Sequence, residues 1–274
     1  MKRFYWFFWK LCVIGLLVVL LFAIGYYNAH HVKINEVEIA SSDVPPAFDG
    51  VKIVFIADIH FGPFLSTPQL AEIVERINRL NPDLILLGGD YVLIRQRYIA
   101  PVFSELGKLR APLGIYGVLG NRDQRSDPDL TKMKMKEYGI MCCDNKSYWV
   151  KKGGDSIKIG GVGDLWYDTQ IPENTLRGLK ETDFAILLSH HPDYLENIHS
   201  DLIDLTLSGH THGGQVTIVG WAPILPSVYG QKYRYGLIRS GNTQSYITSG
   251  VGTVIPPIRF FCPPEIALLR LKKK

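Results

Sequence analysis

The sequence predicts an α/β protein of two stacked β-sheets with helices outside, entered through an N-terminal membrane-crossing helix. Three observations predict it. The run Leu11–Tyr27 is continuously apolar or aromatic apart from Gly15 and Gly25. Short apolar runs alternate with helically spaced segments up to Tyr138, and the alternation resumes at Phe184. Short strand-like segments punctuated by Gly, Asn and Asp fill the rest, so each half of the chain opens with helix-separated strands and then becomes β-rich.

At the N-terminus, only Lys10 separates Leu11–Tyr27 from the aromatic block Phe4–Trp9. A spanning helix needs roughly 20 apolar residues, so the run is slightly short alone and the block extends it into the interface, with Lys10 able to snorkel. A cleaved signal peptide is the alternative. Tyr26–His31 does not supply the A-x-A-like pattern of small residues that cleavage prefers, so an uncleaved anchor is expected. Lys2, Arg3 and Lys10 lie on its N-terminal side, which places a short end in the cytoplasm and the body outside the plasma membrane.

Val32–Ala40 alternates well enough for a first strand, through Val32, Ile34, Val37 and Ile39, with one break in the period. Ser41–Gly50, with Pro45-Pro46, is a loop, and Val51–Ala57 is the first central strand. Thr67 can cap a helix to Leu80, with Pro68 at its first position and Leu70, Ile73, Val74 and Ile77 at helical spacing, until Pro82 stops it. Strands at Asp83–Leu87 and Ile115–Leu119 alternate with helices near Ile99–Leu109 and Pro128–Tyr138. After Gly139, the segments Ile140–Cys143, Tyr148–Val150 and Ile157–Val162 read as an antiparallel meander. Phe184–Leu188 and Leu202–Leu207 are further apolar runs, with a helix from Pro192 between them. The last third adds strands at Gln215–Val219, Tyr235–Ile238, Ser245–Ile247 and Ile266–Leu271.

Composition excludes some partners. Net charge is +4, but six of the 30 Lys and Arg lie at the two ends, and the other 24 face 26 acids, leaving the body at −2. That is no basic face for nucleic acid. No segment points to a protein partner. Of four cysteines, Cys12 lies in the anchor and Cys142-Cys143 are adjacent, where a bridge is strained. A bridge from either to Cys262 is the alternative to buried free thiols.

The chemistry concentrates where the apolar runs end. Asp58 and His60 follow Val51–Ala57; Asp90 follows Leu84–Leu87; Asn121 and Asp123 follow Ile115–Leu119; His190 follows Phe184–Leu188. Ser208-Gly209-His210-Thr211-His212-Gly213-Gly214-Gln215 follows Leu202–Leu207. A His-x-His pair is a weak signal alone. Five strand ends carrying hard or borderline ligands are a stronger one, because α/β proteins place their sites there. Oxygen and imidazole donors without thiolate suit manganese, iron or zinc, and two such ions clamp an in-line phosphoryl displacement, holding a hydroxide between them at neutral pH.

Asp58-Ile59-His60, Gly89-Asp90, Gly120-Asn121-Arg122-Asp123, Ser189-His190-His191-Pro192-Asp193 and Gly209-His210-Thr211-His212, in that order, resemble the five blocks of the calcineurin-like metallophosphoesterases. The resemblance runs from about Val51 to Leu271. Gly213-Gly214-Gln215 and Ile258–Ile266 look more like its membrane-associated bacterial branch, which includes lipid-directed pyrophosphatases acting on UDP-2,3-diacylglucosamine. It implies a four-layer αββα sandwich of two mixed sheets. It also implies a division into 1–28 (cytoplasmic end and anchor), 29–50 (linker and first strand) and 51–274 (catalytic domain).

The resemblance further implies a site for two divalent ions, bridged by Asp90, with Asp58, His60 and His212 on one and Asn121, His190 and His210 on the other. His190 rather than His191 is expected from its place nearer the strand end and from the family pattern. Arg122 departs from that pattern, in which a His after the Asn protonates the leaving oxygen. An Arg holds a phosphoryl oxygen but does not donate a proton usefully. Arg122 is therefore expected to bind phosphate, oriented by Asp123, with a leaving group that departs unprotonated; a surface residue without a role is the alternative. The expected activity is hydrolysis of a phosphodiester or pyrophosphate bond, in a lipid-linked substrate near the bilayer. The alternatives are a broad phosphodiesterase of soluble esters, or a metal-binding scaffold with little turnover. Trp166, Tyr167 and the loop Trp221–Tyr235 either pack or form an approach for acyl chains.

Overall fold

The structure, a computed structural model, describes residues 2–240 and 243–274. α1 (Lys2–Ala29) is one continuous helix, its large side chains from Phe4 to Ile24 mostly exposed. The stretch Phe4–Ala29 is long and apolar enough to cross a bilayer. Beyond it lie two sheets packed face to face.

The first sheet is built from β1 (Lys33–Ser41), β2 (Lys52–Ile56), β3 (Leu84–Leu87), β4 (Ile115–Gly117), β5 (Ile140–Cys142) and β12 (Glu265–Lys273). Its order is β1-β12-β2-β3-β4-β5, with β2 to β5 parallel and β12 antiparallel to β2. The second, from β6 (Ser147–Lys152), β7 (Asp155–Gly161), β8 (Ala185–Leu188), β9 (Leu205–Ser208), β10 (Gly236–Ser240) and β11 (Thr243–Ile247), has the order β10-β11-β9-β8-β7-β6. β7, β8, β9 and β11 are parallel neighbours in it, and β6 and β10 are antiparallel edges.

Both faces of the central strands are buried, as near-continuous apolar runs require. Ile53 and Phe55 of β2, Leu84 and Leu86 of β3, Ile186 and Leu188 of β8, and Leu205 and Leu207 of β9 fill the space between the sheets. The intervening Val54, Ile56, Ile85 and Leu87 turn outward under α2 (Thr67–Arg79), α3 (Ile99–Leu106) and α5 (Pro128–Glu137). The outer cover of the second sheet is thinner. It consists of α6 (Glu173–Leu176) and a 3-10 turn, Pro192–Asn197, over a small cluster with Val162, Leu187, Tyr194 and Ile203. The αββα sandwich of two mixed sheets is therefore present, with unequal helical layers.

Four local expectations change. Ser66, not Thr67, caps α2, its backbone N–H bonded to Gln69 Oε1 at 2.8 Å in a capping box. β5 pairs parallel with β4 in the first sheet rather than joining a meander, so only β6 and β7 form the antiparallel hairpin. The segment from Pro192 is a 3-10 turn. Gln215–Val219 forms no strand: Val216 bridges to Phe260 and Ile218 to Trp221 singly, because positive φ at Gly214, Gln215 and Val219 interrupts an extended course. The cysteines are free thiols, with Cys143 and Cys262 buried.

Candidate metal centre

The parallel strands β2, β3, β4, β8 and β9 all end at one edge of the sandwich, and the polar residues that follow them converge there. Asp58, His60, Asp90, Asn121, His190, His210 and His212 are each buried, at 6 % exposure or less. Their backbone is unusual: Asp58, His60, Asp90, His210 and His212 have φ between 47° and 67°. Left-handed backbone costs a non-glycine residue energy and persists where the surroundings over-determine it. Here they do: Asp58 N–H donates to Gly89 O at 2.9 Å, His60 N–H to Asp90 O at 3.0 Å and His210 N–H to Asp58 Oδ2 at 2.9 Å. A Cβ at Gly209 or Gly120 would collide with a carboxylate oxygen of Asp58 or Asp90 respectively, so these turns need glycine.

The side chains form two groups sharing Asp90. In one, His60 Nε2 and His212 Nε2 are 2.9 Å apart, and Asp58 Oδ1 lies 3.8 and 3.5 Å from them. In the other, Asn121 Oδ1 lies 3.2 Å from His190 Nε2 and 3.1 Å from His210 Nδ1. Asp90 faces both, with Oδ2 3.6 Å from His60 Nε2 and Oδ1 3.5 Å from His190 Nε2. His190 Nδ1 donates to Gly88 O at 2.7 Å, which fixes the ring and leaves Nε2 directed at the cluster.

Charge follows burial and neighbours. Burial pulls the His60 imidazole down to about 4 and holds His210 and His212 well below the ordinary histidine range, so all three are neutral donors at pH 7. Burial raises Asp58 to about 7. Against burial, the mutual attraction of Asp90 and His190 lowers the acid to about 2 and raises the base to about 10. Lone pairs brought together in a water-free spot are favourable when a cation or a proton lies among them. Asp58, His60 and His212 lie close enough to share one ion, and His190 and His210 close enough to share another, with His191 grouped beside them, its ring centroid 3.7 Å from that of His210; oxygen and imidazole donors of this kind suit divalent ions.

Two residues beside the ligands behave differently from one another. Asp123 accepts from the N–H groups of Asp90 at 2.8 Å, Tyr91 at 2.9 Å and Gly120 at 2.9 Å. It thus ties the turn after β3 to the start of α4 (Asn121–Ser126), and its oxygens are engaged there rather than on the Arg122 guanidinium. Arg122 is half-buried; its N–H donates to Asp90 Oδ1 at 2.7 Å, and its charge contributes to the low values of His60 and His212.

Other residues border the site. Arg259 is fully buried beneath His212, donating to the carbonyls of His212 at 3.3 Å, Cys262 at 3.2 Å, Ser249 at 2.7 Å and Gly252 at 2.6 Å. Only its place in the Ile258–Ile266 tail marked it beforehand. His191 Nε2 pairs with Asp164 Oδ2 at 3.0 Å, and the half-exposed Trp166 packs on His191 and His210 with ring centroids 4.4 and 4.7 Å away. Asp164 follows β7 through Gly163, the same strand-end placement that flagged Asp90, so the sequence did carry a signal for it.

Residues 51–214 match the calcineurin-like phosphoesterase family. The chain is 33% identical over 251 residues to an uncharacterized metallophosphoesterase of Bacillus subtilis, YkuE, covering 90% of this chain and 88% of that protein. It is 32% identical over 227 residues to the phosphodiesterase YaeI of Escherichia coli, covering 80% and 82%. Among solved structures, the NAD nucleotidase of Haemophilus influenzae superposes with a TM-score of 0.51 at 14% identity, over 74% of this chain and 51% of that one, a likeness of fold.

Proposed function

The chain belongs to the calcineurin-like phosphoesterase family and is a metal-dependent phosphoester hydrolase, and from this premise we propose that it is anchored by α1 and cleaves a phosphodiester or pyrophosphate bond in a lipid-linked substrate. The observation that carries the reading is the pair of donor groups sharing Asp90. Asp58, His60 and His212 would hold one divalent ion and Asn121, His190 and His210 the other, with Asp90 facing both groups. Two such ions supply neutralisation of phosphoryl charge and an activated water for in-line displacement.

The chain's own residues do the rest. Asp90, ionised at pH 7, would offset the repulsion between two cations. Asp123 positions Asp90 and Asn121 through their turns. Arg122, at the start of α4 and half-exposed, is placed to grip a phosphoryl oxygen. Trp166 offers a flat apolar face beside His191 and His210 for the group attached to the phosphate.

The diester activity is supported by the likeness to a protein described as a phosphodiesterase. The anchor reading is supported by an exposed apolar helix long enough to span, with Lys2, Arg3 and Lys10 at its outer end favouring a cytoplasmic N-terminus and a body outside the plasma membrane. The test is turnover by the full-length protein of bis-p-nitrophenyl phosphate, UDP-2,3-diacylglucosamine in mixed micelles, and an alkyl phosphomonoester. The reading expects the first two to be cleaved and the third to be poor. Cleavage of the monoester in preference to both would overturn it.

A further inference from the structure

We propose that the loop face beside the end of α1 is a membrane-docking surface that seats the metal centre at the headgroup level of the bilayer. The proposal rests on the anchoring read for α1 above and adds a second membrane contact, made by the catalytic body itself.

The helix meets the body at Gly25. Arg259 N–H donates to Gly25 O at 2.9 Å, and a Cβ at Gly25 would stand 2.6 Å from Phe260 Cε2 and 2.9 Å from Ile258 Cβ. Tyr26 and Tyr27 follow immediately, at the end of the apolar run, where amphipathic rings mark the boundary between hydrocarbon and water. The Ile258–Phe261 loop is thereby fixed at that depth.

The side chains around it are apolar and unpacked. Phe261 is 85% exposed, Ile255 68%, Ile218 61%, Trp221 54% and Val219 99%. Thr217 N–H donates to Phe260 O at 3.0 Å, so the Ile218–Trp221 hairpin extends from the same loop. Val219 at the hairpin tip has φ 48° and Phe261 has φ 52°. A β-branched residue with positive φ is an outlier, and fully exposed it gains no packing among the described residues to offset the strain. A hydrocarbon boundary supplies that burial, and the surface is continuous with the helix that enters it. A cavity of about 240 Å³ between the helix end and Phe261, lined also by Tyr27, His31 and Lys33, puts a cation where lipid phosphates lie.

The same loop holds the metal centre. Arg259 reaches from it to His212 O, and Phe260 N–H donates to Gln215 O at 2.9 Å, just after the His-x-His turn. One residue, Arg259, thus bonds the end of α1 through its backbone N–H and the carbonyl of a candidate ligand through its side chain. The substrate this geometry favours is a phosphoester or pyrophosphate still embedded in the leaflet by its acyl chains.

The test places bimane at Val219→Cys and Phe261→Cys of the full-length protein in phosphatidylglycerol–phosphatidylethanolamine vesicles, with Leu16→Cys in α1 and Met133→Cys on α5 as references, all in a Cys12→Ser background. Retained hydrolysis of bis-p-nitrophenyl phosphate reports folding. The expected result is quenching of the Val219 and Phe261 probes by nitroxide-labelled lipid several-fold above that at Met133, with protection from aqueous iodide. Quenching at Leu16 alone, with both loop probes matching Met133, overturns the docking surface and leaves the anchor standing. Loop probes quenched by lipid in an enzyme that hydrolyses the soluble diester but no lipid-linked pyrophosphate leave the surface standing and overturn the substrate reading.

Discussion

Arg122 follows Asn121 at the N-terminus of α4, and the role proposed for its guanidinium is to grip a phosphoryl oxygen without supplying a proton to a departing alkoxide. Replacing it with Ala is expected to lower kcat on an aryl diester by about 10²-fold, the scale of losing one preorganised donor, with metal content unchanged. Steady-state kinetics alongside metal analysis separates this from a surface role, in which kcat would stay put. Arg259 acts from beneath. Arg259→Met leaves the carbonyls of Ser249, Gly252 and Cys262 without their donor in a buried spot, at about 1–3 kcal/mol for each left unpaired. A marked fall in thermal unfolding temperature is the expected outcome, with metal affinity weakened about 10- to 100-fold as for other residues that orient a ligand. Protonation gives a further prediction. Without metal, Asp58 is raised to about 7 and His190 to about 10, so both hold protons that a ligand must shed. Metal uptake therefore releases protons, and affinity rises with pH through 7 and toward 10. Calorimetry of metal binding in buffers of different ionisation enthalpy reads the proton count directly; uptake of protons on binding would contradict the assignment.

Elements that were legible in sequence are those whose pattern one physical demand determines. The strands ending at Ile56, Leu87, Leu188 and Ser208 are buried on both faces, so their apolar runs stood out and with them the candidate ligands that follow. Leu86→Ala, emptying a fully buried position between the sheets, is expected to destabilise the fold by about 2–5 kcal/mol in urea unfolding. Elements that were misread depended on long-range pairing. β5 has the short, Gly-flanked look of a hairpin strand, and only its parallel partner β4 assigns it to the first sheet. Gln215–Val219 alternates like a strand, yet its left-handed residues serve the turn beside the metal centre and the hairpin tip. Arg259 had only its place in the Ile258–Ile266 tail to mark it. Its role exists only because the C-terminal tail folds back under His212, a contact between residues 47 apart in sequence.

Across the whole molecule, two sheets bring five strand ends to one edge, and the tail between Gly250 and Glu265 ties that edge to the end of α1. The site, the buried arginine and α1 are thus linked in series by hydrogen bonds rather than placed independently. The αββα architecture had been implied by resemblance, since periodicity alone distinguished two β-rich halves but not which strands cross between them. The central claim is that two cations are held by seven side chains with Asp90 between them. Its most direct test is the metal content per chain of the purified protein and of a folded Asp90→Asn variant, measured by mass spectrometry alongside hydrolysis of bis-p-nitrophenyl phosphate. The account predicts two ions in the parent, and in the variant one or fewer with hydrolysis abolished. Two ions and an undiminished rate in the variant would contradict it.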